Sequence, residues 1–177
     1  MEERHVNKGS SVLGDSEAQQ FLQEIIGDEG MDVVNYLADQ DATDEEMSEE
    51  IGIKLNIIRK VLYRLYDYRL ASYTRTKDKT IGWYIYTWTL DLQRVYDILT
   101  ERKRQILDEL TKKLEFETSN IFFYCKGDNY KVPFDIASEY GFRCPQCQGK
   151  MEHLDNQSIV MSLEEEIARL KKEIGHV

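Results

Sequence analysis

The sequence has no long apolar run and only three cysteines, and each shortage excludes a class of protein. No uninterrupted apolar stretch approaches the roughly 20 residues of a membrane-spanning helix, so we expect a soluble protein without a membrane span. The polar first 14 residues lack the apolar centre of a signal peptide and predict a disordered lead over residues 1–14. An odd number of cysteines, two of them in one Cys-x-x-Cys pair, does not fit a secreted disulfide framework and favours a reducing, cytoplasmic location.

Residue groups typical of enzymes are also missing. The histidines, His5, His153 and His176, are scattered, and the sequence has no paired catalytic carboxylates, glycine-rich phosphate loop or Ser/His/Asp set. A redox Cys-x-x-Cys pair usually opens a helix, where the thiol pKa is lowered, whereas this pair lies among strand candidates. The sequence therefore predicts a protein that is not an enzyme.

Basic residues are absent from one long stretch of the chain. Residues 15–53 contain 13 acidic residues and no Lys or Arg, whereas residues 54–82 contain 8 basic residues and 2 acidic ones. This pattern predicts an acidic face followed by a basic one. The net charge is −10, which argues against a protein that grips duplex DNA by itself, because phosphate contacts supply most non-specific affinity.

Residues 16–68 carry the apolar periodicity of helices. Helical spacing predicts helices over 16–26 and about 28–38. Thr43 is a good N-cap, and Glu46 completes a capping box, so a third helix begins there and stops at the next glycine. A fourth helix over about 54–68 has one apolar face. Helix, glycine-containing turn, helix is the helix-turn-helix pattern.

Two runs of β-forming residues, 70–78 and 81–90, follow this pattern directly and predict a hairpin, which would be the wing of a winged helix. Tyr84, Tyr86 and Trp88 share one face of the second strand. Since one face must cover the core, we expect aromatic residues on the other face to be half exposed. They either pack the hairpin itself or form a stacking surface for unpaired bases or a partner protein.

Two amphipathic helices are predicted in the second half of the chain. Residues 91–117 form a long polar helix whose thin apolar stripe includes Ile106, which suits a linker. Residues 158–177 form an amphipathic tail that becomes helical at Ser162, its N-cap. The tail could pair with another helix or with a partner protein.

The segment between these helices, residues 118–157, has the spacing of a zinc ribbon at three of four positions. Cys144 and Cys147 form one knuckle, and 18 residues separate Cys125 from it. Asp128 stands where a fourth cysteine is expected, and a carboxylate can ligate zinc at about 2.0–2.2 Å. Two alternatives stay open: zinc held by these four residues, or a metal-free ribbon held by its aromatic strands.

Together these elements predict an α+β chain of several parts. They are an N-terminal winged helix-turn-helix domain over residues 15–90, a linker helix over 91–117, a zinc-ribbon-like β domain over 118–157 and an amphipathic C-terminal helix over 158–177.

The stretch FDIASEYGFRCPQC, residues 134–147, carries the most specific resemblance. Its F-D-x-A and F-x-C-P-x-C elements resemble the pattern of archaeal transcription factor E, the family counterpart of the eukaryotic TFIIE alpha subunit, and the resemblance extends over about residues 16–156. It implies a basal initiation factor that joins TBP, TFB and RNA polymerase. Such a factor binds the polymerase clamp and stalk and assists promoter melting around the non-template strand. We expect a monomer, and Asp128 departs from the four zinc cysteines of the family.

Two groups of residues are the candidates for contact with nucleic acid or polymerase: a basic and aromatic group on the hairpin, and a basic group on the second helix of the helix-turn-helix. The alternative function is a sequence-specific winged-helix repressor, which would read the major groove as a dimer through a basic recognition helix. The candidate residues are Arg75, Lys77, Lys79, Trp83 and Tyr84 on the wing and Lys54, Arg59 and Lys60 on the second helix of the helix-turn-helix.

Overall fold

The structure is a computed structural model that describes residues 9–79 and 82–175, with only the backbone described at Gly9 and Ser10. The chain divides into two compact units, one ending at Leu99 and the other starting at Thr100. Both units contain helices and strands, which confirms the predicted α+β class. Within the described ranges, no helix combines the length and apolar character needed to cross a membrane.

The elements follow one another with short connections. In the first unit they are α1 (Gly9–Leu13), α2 (Ser16–Ile26), α3 (Asp28–Asp39), β1 (Ala42–Thr43), α4 (Asp44–Ile51), α5 (Leu55–Asp67), β2 (Ala71–Lys77) and β3 (Tyr84–Leu90). Helix α6 (Arg94–Ser119) begins in the first unit and continues into the second. It is followed by β4 (Phe122–Cys125), β5 (Tyr130–Pro133), α7 (Phe134–Glu139), β6 (Glu152–Leu154) and α8 (Gln157–Ile174).

Helix α1 corrects the predicted disordered lead over residues 1–14. Residues 9–13 are helical, and the Val12 side chain is fully buried in the core of the first unit. Two adjacent apolar residues, Val12 and Leu13, in a short polar segment give no periodic signal, so the prediction is wrong for this part. Residues 1–8 lie outside the described residues.

The two helices of the predicted helix-turn-helix are confirmed as α4 and α5. The Thr43 hydroxyl accepts the Glu46 N–H at 3.1 Å, and the Glu46 carboxylate accepts the Thr43 N–H at 2.8 Å, which is the predicted capping box. Gly52, with φ of 71°, takes the left-handed conformation that ends α4. The buried face of α5 consists of Ile58, Val61, Leu62 and Leu65.

Strands β2 and β3 form the predicted antiparallel hairpin, and β1 pairs with the other edge of β3. The register sets Tyr73 opposite Trp88 and Lys77 opposite Tyr84. The inner end of the hairpin contributes Ala71 and Trp88 to the core, while its outer end extends beyond the core.

The second unit contains a small antiparallel sheet with β4 between β5 and β6. Phe123 of β4 lies opposite Val132 on one side and opposite His153 on the other. The end of β4, the turn that follows it and the turn after α7 carry the four candidate metal ligands. Strand β4, at the centre of the sheet, therefore positions Cys125 and the turn that contains Asp128.

Helices α6 and α8 run antiparallel beside each other. At one end the Asn156 side chain, which precedes α8, donates to the backbone oxygen of Glu117 at 2.9 Å. At the other end the Lys103 ammonium lies 3.3 Å from the Glu173 carboxylate. Between these contacts α8 buries Leu163, Ile167 and Leu170. The tail helix thus pairs with the linker helix of its own chain.

Two details of these helices differ from the sequence analysis. Ile106 is 47% exposed, while the neighbouring Leu107 is partly buried, so the apolar stripe of α6 passes through Leu107. Helix α8 begins at Gln157 with Asn156 at its N-cap, and Ser162 is an exposed residue within the helix. A serine followed by a glutamate three residues later imitates a capping box, but the contact of Asn156 with α6 sets the actual start.

Candidate metal centre and nucleic-acid interface

The candidate metal centre brings together all four residues singled out by their spacing. The ligand atoms of Cys125, Asp128, Cys144 and Cys147 lie within 4.8 Å of one another. The Sγ atoms of Cys125 and Cys147 are 3.5 Å apart, and the Cys144 thiol donates to the Asp128 carboxylate at 3.1 Å. His153 is not part of this group, and its ring packs edge-on against Phe123, with centroids 6.0 Å apart.

This geometry fits a tetrahedral zinc ion. Zinc binds thiolate sulfur at about 2.3 Å and carboxylate oxygen at about 2.0–2.2 Å, which sets the ligand atoms of one site roughly 3.5–3.8 Å apart. Three sulfur atoms and one oxygen that already converge need only small side-chain adjustments to meet that spacing. Cys125, Cys144, Cys147 and Asp128 are therefore the residues that could hold a metal.

Hydrogen bonds shift the protonation of these groups in different directions. The Asp128 backbone N–H lowers the pKa of the Cys125 thiol, because it stabilises the thiolate. The hydrogen bond between Cys147 and the Asp128 carboxylate lowers the pKa of Asp128 and raises that of Cys147 to about 12. Asp128 therefore acts on the cluster through both its backbone and its side chain.

An aromatic cluster packs beside the metal centre. Phe123 lies 4.8 Å from Phe142 and 6.1 Å from Phe134 between ring centroids, and Phe134 lies 5.7 Å from Phe142. Phe123 and Phe142 pack against the buried set that includes Cys125 and Cys144. The second of the two alternatives, a ribbon held by aromatic residues, thus has its own physical basis in the same structure.

The candidate residues of the predicted wing lie close together at the outer end of the hairpin. Arg75 and Lys77 are exposed on β2, and Lys79 is exposed in the turn. Trp83 is 75% exposed and Tyr84 is 52% exposed at the start of β3. The Arg75 guanidinium carbon lies 4.4 Å from the centroid of the Tyr84 ring, a cation–π contact.

The exposed tyrosines of the hairpin lie on the core-facing side, and Tyr84, Tyr86 and Trp88 share one face as the alternation along β3 predicts. Directly paired residues share a face, so Tyr73, Tyr84 and Tyr86 lie on the same side as buried Trp88. They stay exposed because the hairpin extends past the edge of the core. The opposite face within the strands is mostly hydroxyl-bearing and consists of Ser72, Thr74, Thr76, Ile85, Thr87 and Thr89.

Four more aromatic residues continue this face, of which sequence reasoning placed only Tyr86 there and missed the other three. Tyr73 and Tyr86 lie on the hairpin, and Tyr63 and Tyr66 of α5 pack against its Trp88. Tyr73 could have been found, because it alternates with Arg75 and Lys77 along β2. The α5 pair could not, since only the folded contact shows that this helix adjoins the hairpin. We call the five exposed rings the aromatic platform: Tyr63, Tyr66, Tyr73, Tyr84 and Tyr86.

The candidate residues on the second helix differ from those of the hairpin. Arg59 pairs with the Asp44 carboxylate, and its second nitrogen lies 3.1 Å from the Glu45 carboxylate. Burial by itself raises the pKa of Asp44, but hydrogen bonds with Glu45 and Arg59 and the Arg59 charge together hold it below its usual value. Arg59 thus joins α5 to α4, while Lys54 and Lys60 remain exposed.

The exposed side of α5 also borders a groove. This groove, of about 900 Å³, is lined by α5 together with Ile25 and Ile26, and the Arg64 Nε donates to the Ile25 backbone oxygen at 3.2 Å. A recognition helix must protrude into the major groove and offer its side chains to base edges. The pairing of Arg59 with Asp44 and Glu45 reduces the positive charge that such a helix would offer, which disfavours the alternative of a sequence-specific repressor.

Comparison with known proteins agrees with the resemblance seen in the sequence. Residues 17–119 match a family model described as the TFIIE alpha subunit. The chain is 40% identical over 166 residues to transcription factor E of Methanocaldococcus jannaschii, a match that covers 92% of this chain and 96% of that protein. It is 41% identical over 155 residues to transcription factor E of Pyrococcus horikoshii, covering 86% and 81% respectively.

A solved structure described as a possible transcriptional regulator from Methanosarcina mazei is also similar, at 13% identity and a TM-score of 0.31. The match covers 56% of this chain and 82% of the chain in that structure.

Proposed function

This chain belongs to the archaeal transcription factor E family, whose eukaryotic counterpart is the TFIIE alpha subunit, and on that basis we propose that it binds RNA polymerase and promotes promoter opening. It would join a complex that contains TBP and TFB, bind the polymerase clamp and stalk as a monomer, and hold the non-template strand. The observation that carries the proposal is the composition of the hairpin. In a chain of net charge −10, strands β2 and β3 contain no acidic residue and carry Arg75, Lys77 and exposed aromatic rings.

The first unit would act as a winged helix over residues 15–90. Its helix-turn-helix, α4 and α5, would serve as a rigid support for the hairpin, because Arg59 is engaged with α4. Trp83 and Tyr84 would contact unpaired bases, and Arg75, Lys77 and Lys79 would lie near phosphates. Lys54 and Lys60 remain candidates for a contact with polymerase or DNA. Residues 91–117 would serve as the linker to the second unit.

The second unit would act as a zinc ribbon over residues 118–157, followed by the C-terminal helix. We propose that Cys125, Cys144, Cys147 and Asp128 hold zinc. A bound zinc ion would cross-link the turn after β4 to the turn after α7. The protein would then present the sheet β5-β4-β6 as a rigid docking surface.

The proposal is tested by separating DNA opening from polymerase binding. Replacing Trp83 and Tyr84 together with alanine should reduce the permanganate reactivity of unpaired promoter thymines, while binding to RNA polymerase persists. Thr76→Ala, on the opposite face of the hairpin, is the control and should leave both properties unchanged. If the double variant is folded but loses polymerase binding as well, the proposed separation of roles is wrong.

A further inference from the structure

The aromatic platform is a continuous surface that extends from the hairpin onto α5. Tyr73 lies 5.3 Å from Tyr86 and 5.6 Å from Tyr66 between ring centroids. Buried Trp88 supports it from beneath, with centroids 5.2 Å from Tyr73 and 6.0 Å from Tyr63. Rings held by each other and by a buried indole keep their orientation, so a ligand that stacks on them orders little new structure.

The platform is more exposed than packing requires. Tyr63 is 58% exposed, Tyr66 is 46% exposed and Tyr73 is 42% exposed. Contiguous exposed aromatic surface of this kind indicates an interaction site, whereas single exposed apolar residues do not.

The charge on the hairpin selects the kind of partner. Arg75 and Lys77 lie on the same face as Tyr84 and Tyr86, and neither strand contains an acidic residue. Exposed cations between aromatic rings fit a ligand that alternates negative charge with flat rings, which is the chemistry of a nucleic-acid strand. A protein partner with a basic docking surface would instead need carboxylates here.

The exposed rings fit an unpaired strand and not a duplex, because stacking needs a free base face. In duplex DNA successive bases of one strand are 3.4 Å apart and stack on one another. The platform rings are separated by 5.3–5.6 Å along Tyr86, Tyr73 and Tyr66, the distance at which aromatic rings contact one another, so they form one surface. Bases in a duplex have both faces covered and offer no ring face to a tyrosine.

We propose that the unpaired strand runs along the aromatic platform, from Tyr84 at the outer end of the hairpin inward to Tyr63 on α5. Bases stack on successive tyrosines, and phosphates lie at Arg75 and Lys77. This inference rests on the proposed function and adds a path to it, since the contact is no longer confined to the tip residues Trp83 and Tyr84. The path follows the core-facing side of the hairpin and leaves the threonine-bearing side free.

The path is tested by photocrosslinking in initiation complexes assembled from the full chain, RNA polymerase, TBP and TFB. The non-template strand carries 5-iodouracil at one position at a time, and crosslinked peptides are identified by mass spectrometry. We expect successive positions to crosslink first to Tyr84, then to Tyr86 and Tyr73, and finally to Tyr66. Crosslinks confined to Trp83 and Tyr84, or located on Lys54 and Lys60, would overturn the path and leave the proposed function standing.

A pair of adjacent residues provides a matched mutational test. Tyr86 is 38% exposed on the platform, and Ile85 is 39% exposed on the opposite face. Because losing one base–aromatic stack weakens binding by about fivefold or more, Tyr86→Leu should shorten the lifetime of the open complex about fivefold. Ile85→Leu should leave that lifetime unchanged.

Four further outcomes are decisive, the last of them from the double variant at the hairpin tip. An equal effect of the two substitutions would contradict the path, as would a wild-type lifetime for Tyr86→Leu. If Tyr86→Leu instead weakens binding to polymerase in the absence of DNA, the platform docks a protein and the inference is wrong. If Trp83→Ala/Tyr84→Ala also leaves promoter opening intact, the proposed function of the hairpin fails along with the path.

Discussion

Among single residues, Asp128 acts on the candidate metal centre in two ways. Its backbone N–H stabilises the Cys125 thiolate, and its carboxylate accepts hydrogen bonds from the Cys144 and Cys147 thiols. The backbone contribution survives any substitution that keeps the turn. Side-chain replacements at this position therefore change the fourth ligand and the hydrogen bonds to the Cys144 and Cys147 thiols, and leave the backbone contribution in place. A carboxylate is a harder donor than a thiolate, so a cysteine here should hold zinc more tightly.

The first prediction concerns zinc content. We expect about one zinc per chain in the native protein and in Asp128→Cys, because in both a fourth ligand completes a tetrahedral site. Asp128→Ala should lose zinc to a chelator at a lower chelator concentration than either. Elemental analysis of protein purified without added zinc or chelator measures the content, and loss of zinc should unfold the ribbon. Zinc found only in Asp128→Cys would mean that the native ribbon is held by Phe123, Phe134 and Phe142.

The spacing of a few residues along the chain was enough to predict the candidate metal ligands. Cys125, Asp128, Cys144 and Cys147 were all identified from spacing, because a knuckle is a short turn whose geometry is set by its own sequence. The aromatic platform was found only in part. Tyr63 and Tyr66 join it through contacts with residues more than five positions away in the chain, and such contacts leave no local pattern.

At the scale of elements, Glu117 joins three parts of the second unit. Its buried carboxylate lies 2.6 Å from the Lys131 ammonium of β5, and it accepts a hydrogen bond from the Asn156 side chain at 2.8 Å, just before α8. Burial alone would raise the pKa of Glu117. The hydrogen bonds from Lys131 and Asn156, with the Lys131 charge, outweigh burial and lower it. The end of α6 is thus fixed to the sheet and to α8 by one ionised side chain.

The second prediction follows from the sign of that shift. Because the folded-state pKa of Glu117 is below its ordinary value, the pair's contribution to stability is present above about pH 4.3 and is lost as pH falls through the folded-state pKa. Lys131→Met should lower the free energy of unfolding by about 2 kcal/mol at pH 7, and the difference from the native protein should shrink toward pH 3. Urea denaturation followed by circular dichroism measures both.

The control for this prediction is a second lysine–carboxylate pair on α6. Lys112 lies 2.6 Å from Asp108, but both side chains are mostly exposed. Solvent screens such a pair, so Lys112→Met should change stability little at either pH. An equal loss from the two substitutions, or a loss from Lys131→Met that does not depend on pH, would contradict the role given to Glu117.

Elements with a strong local signal were predicted well, and those defined by tertiary contacts were not. The helix over residues 16–26 and the capping box at Thr43 are confirmed, because periodicity and capping are properties of a short segment. The start of α8 was misplaced at Ser162, since the contact between Asn156 and Glu117 is formed only after folding. Helix α1 was missed because its stability comes from burying Val12 rather than from its own sequence.

For the whole molecule, the distribution of charge says more about possible binding partners than the net charge does. Of the 13 acidic residues in residues 15–53, eleven are exposed and only Asp44 is buried. This acidic segment forms α2, α3 and α4, while the exposed cations follow it on α5 and the hairpin. A chain arranged in this way can bind a basic protein surface with one region and a DNA strand with another. Complementary charge mainly raises the rate of association and is weakened by salt.

The third prediction tests whether binding to RNA polymerase depends on the distribution of charge or on the net charge. Glu49→Lys/Glu50→Lys reverses two exposed charges in the last turn of α4, where lysine suits the helix dipole and should not destabilise the helix. Glu164→Lys/Glu165→Lys reverses two exposed charges on α8. Each double variant raises the net charge by 4, from −10 to −6, because each Glu→Lys substitution adds 2.

If the acidic segment faces a basic surface of RNA polymerase, the α4 variant should bind polymerase about fivefold more weakly at low salt. The α8 variant should bind nearly as tightly as the native protein. The difference should diminish as salt rises, because the Debye length falls from about 10 Å at 0.1 M to about 3 Å at 1 M. Surface plasmon resonance across a salt series measures association rate and affinity together. Equal weakening by both variants would assign the effect to net charge, and no weakening by either would place the polymerase contact outside the acidic segment.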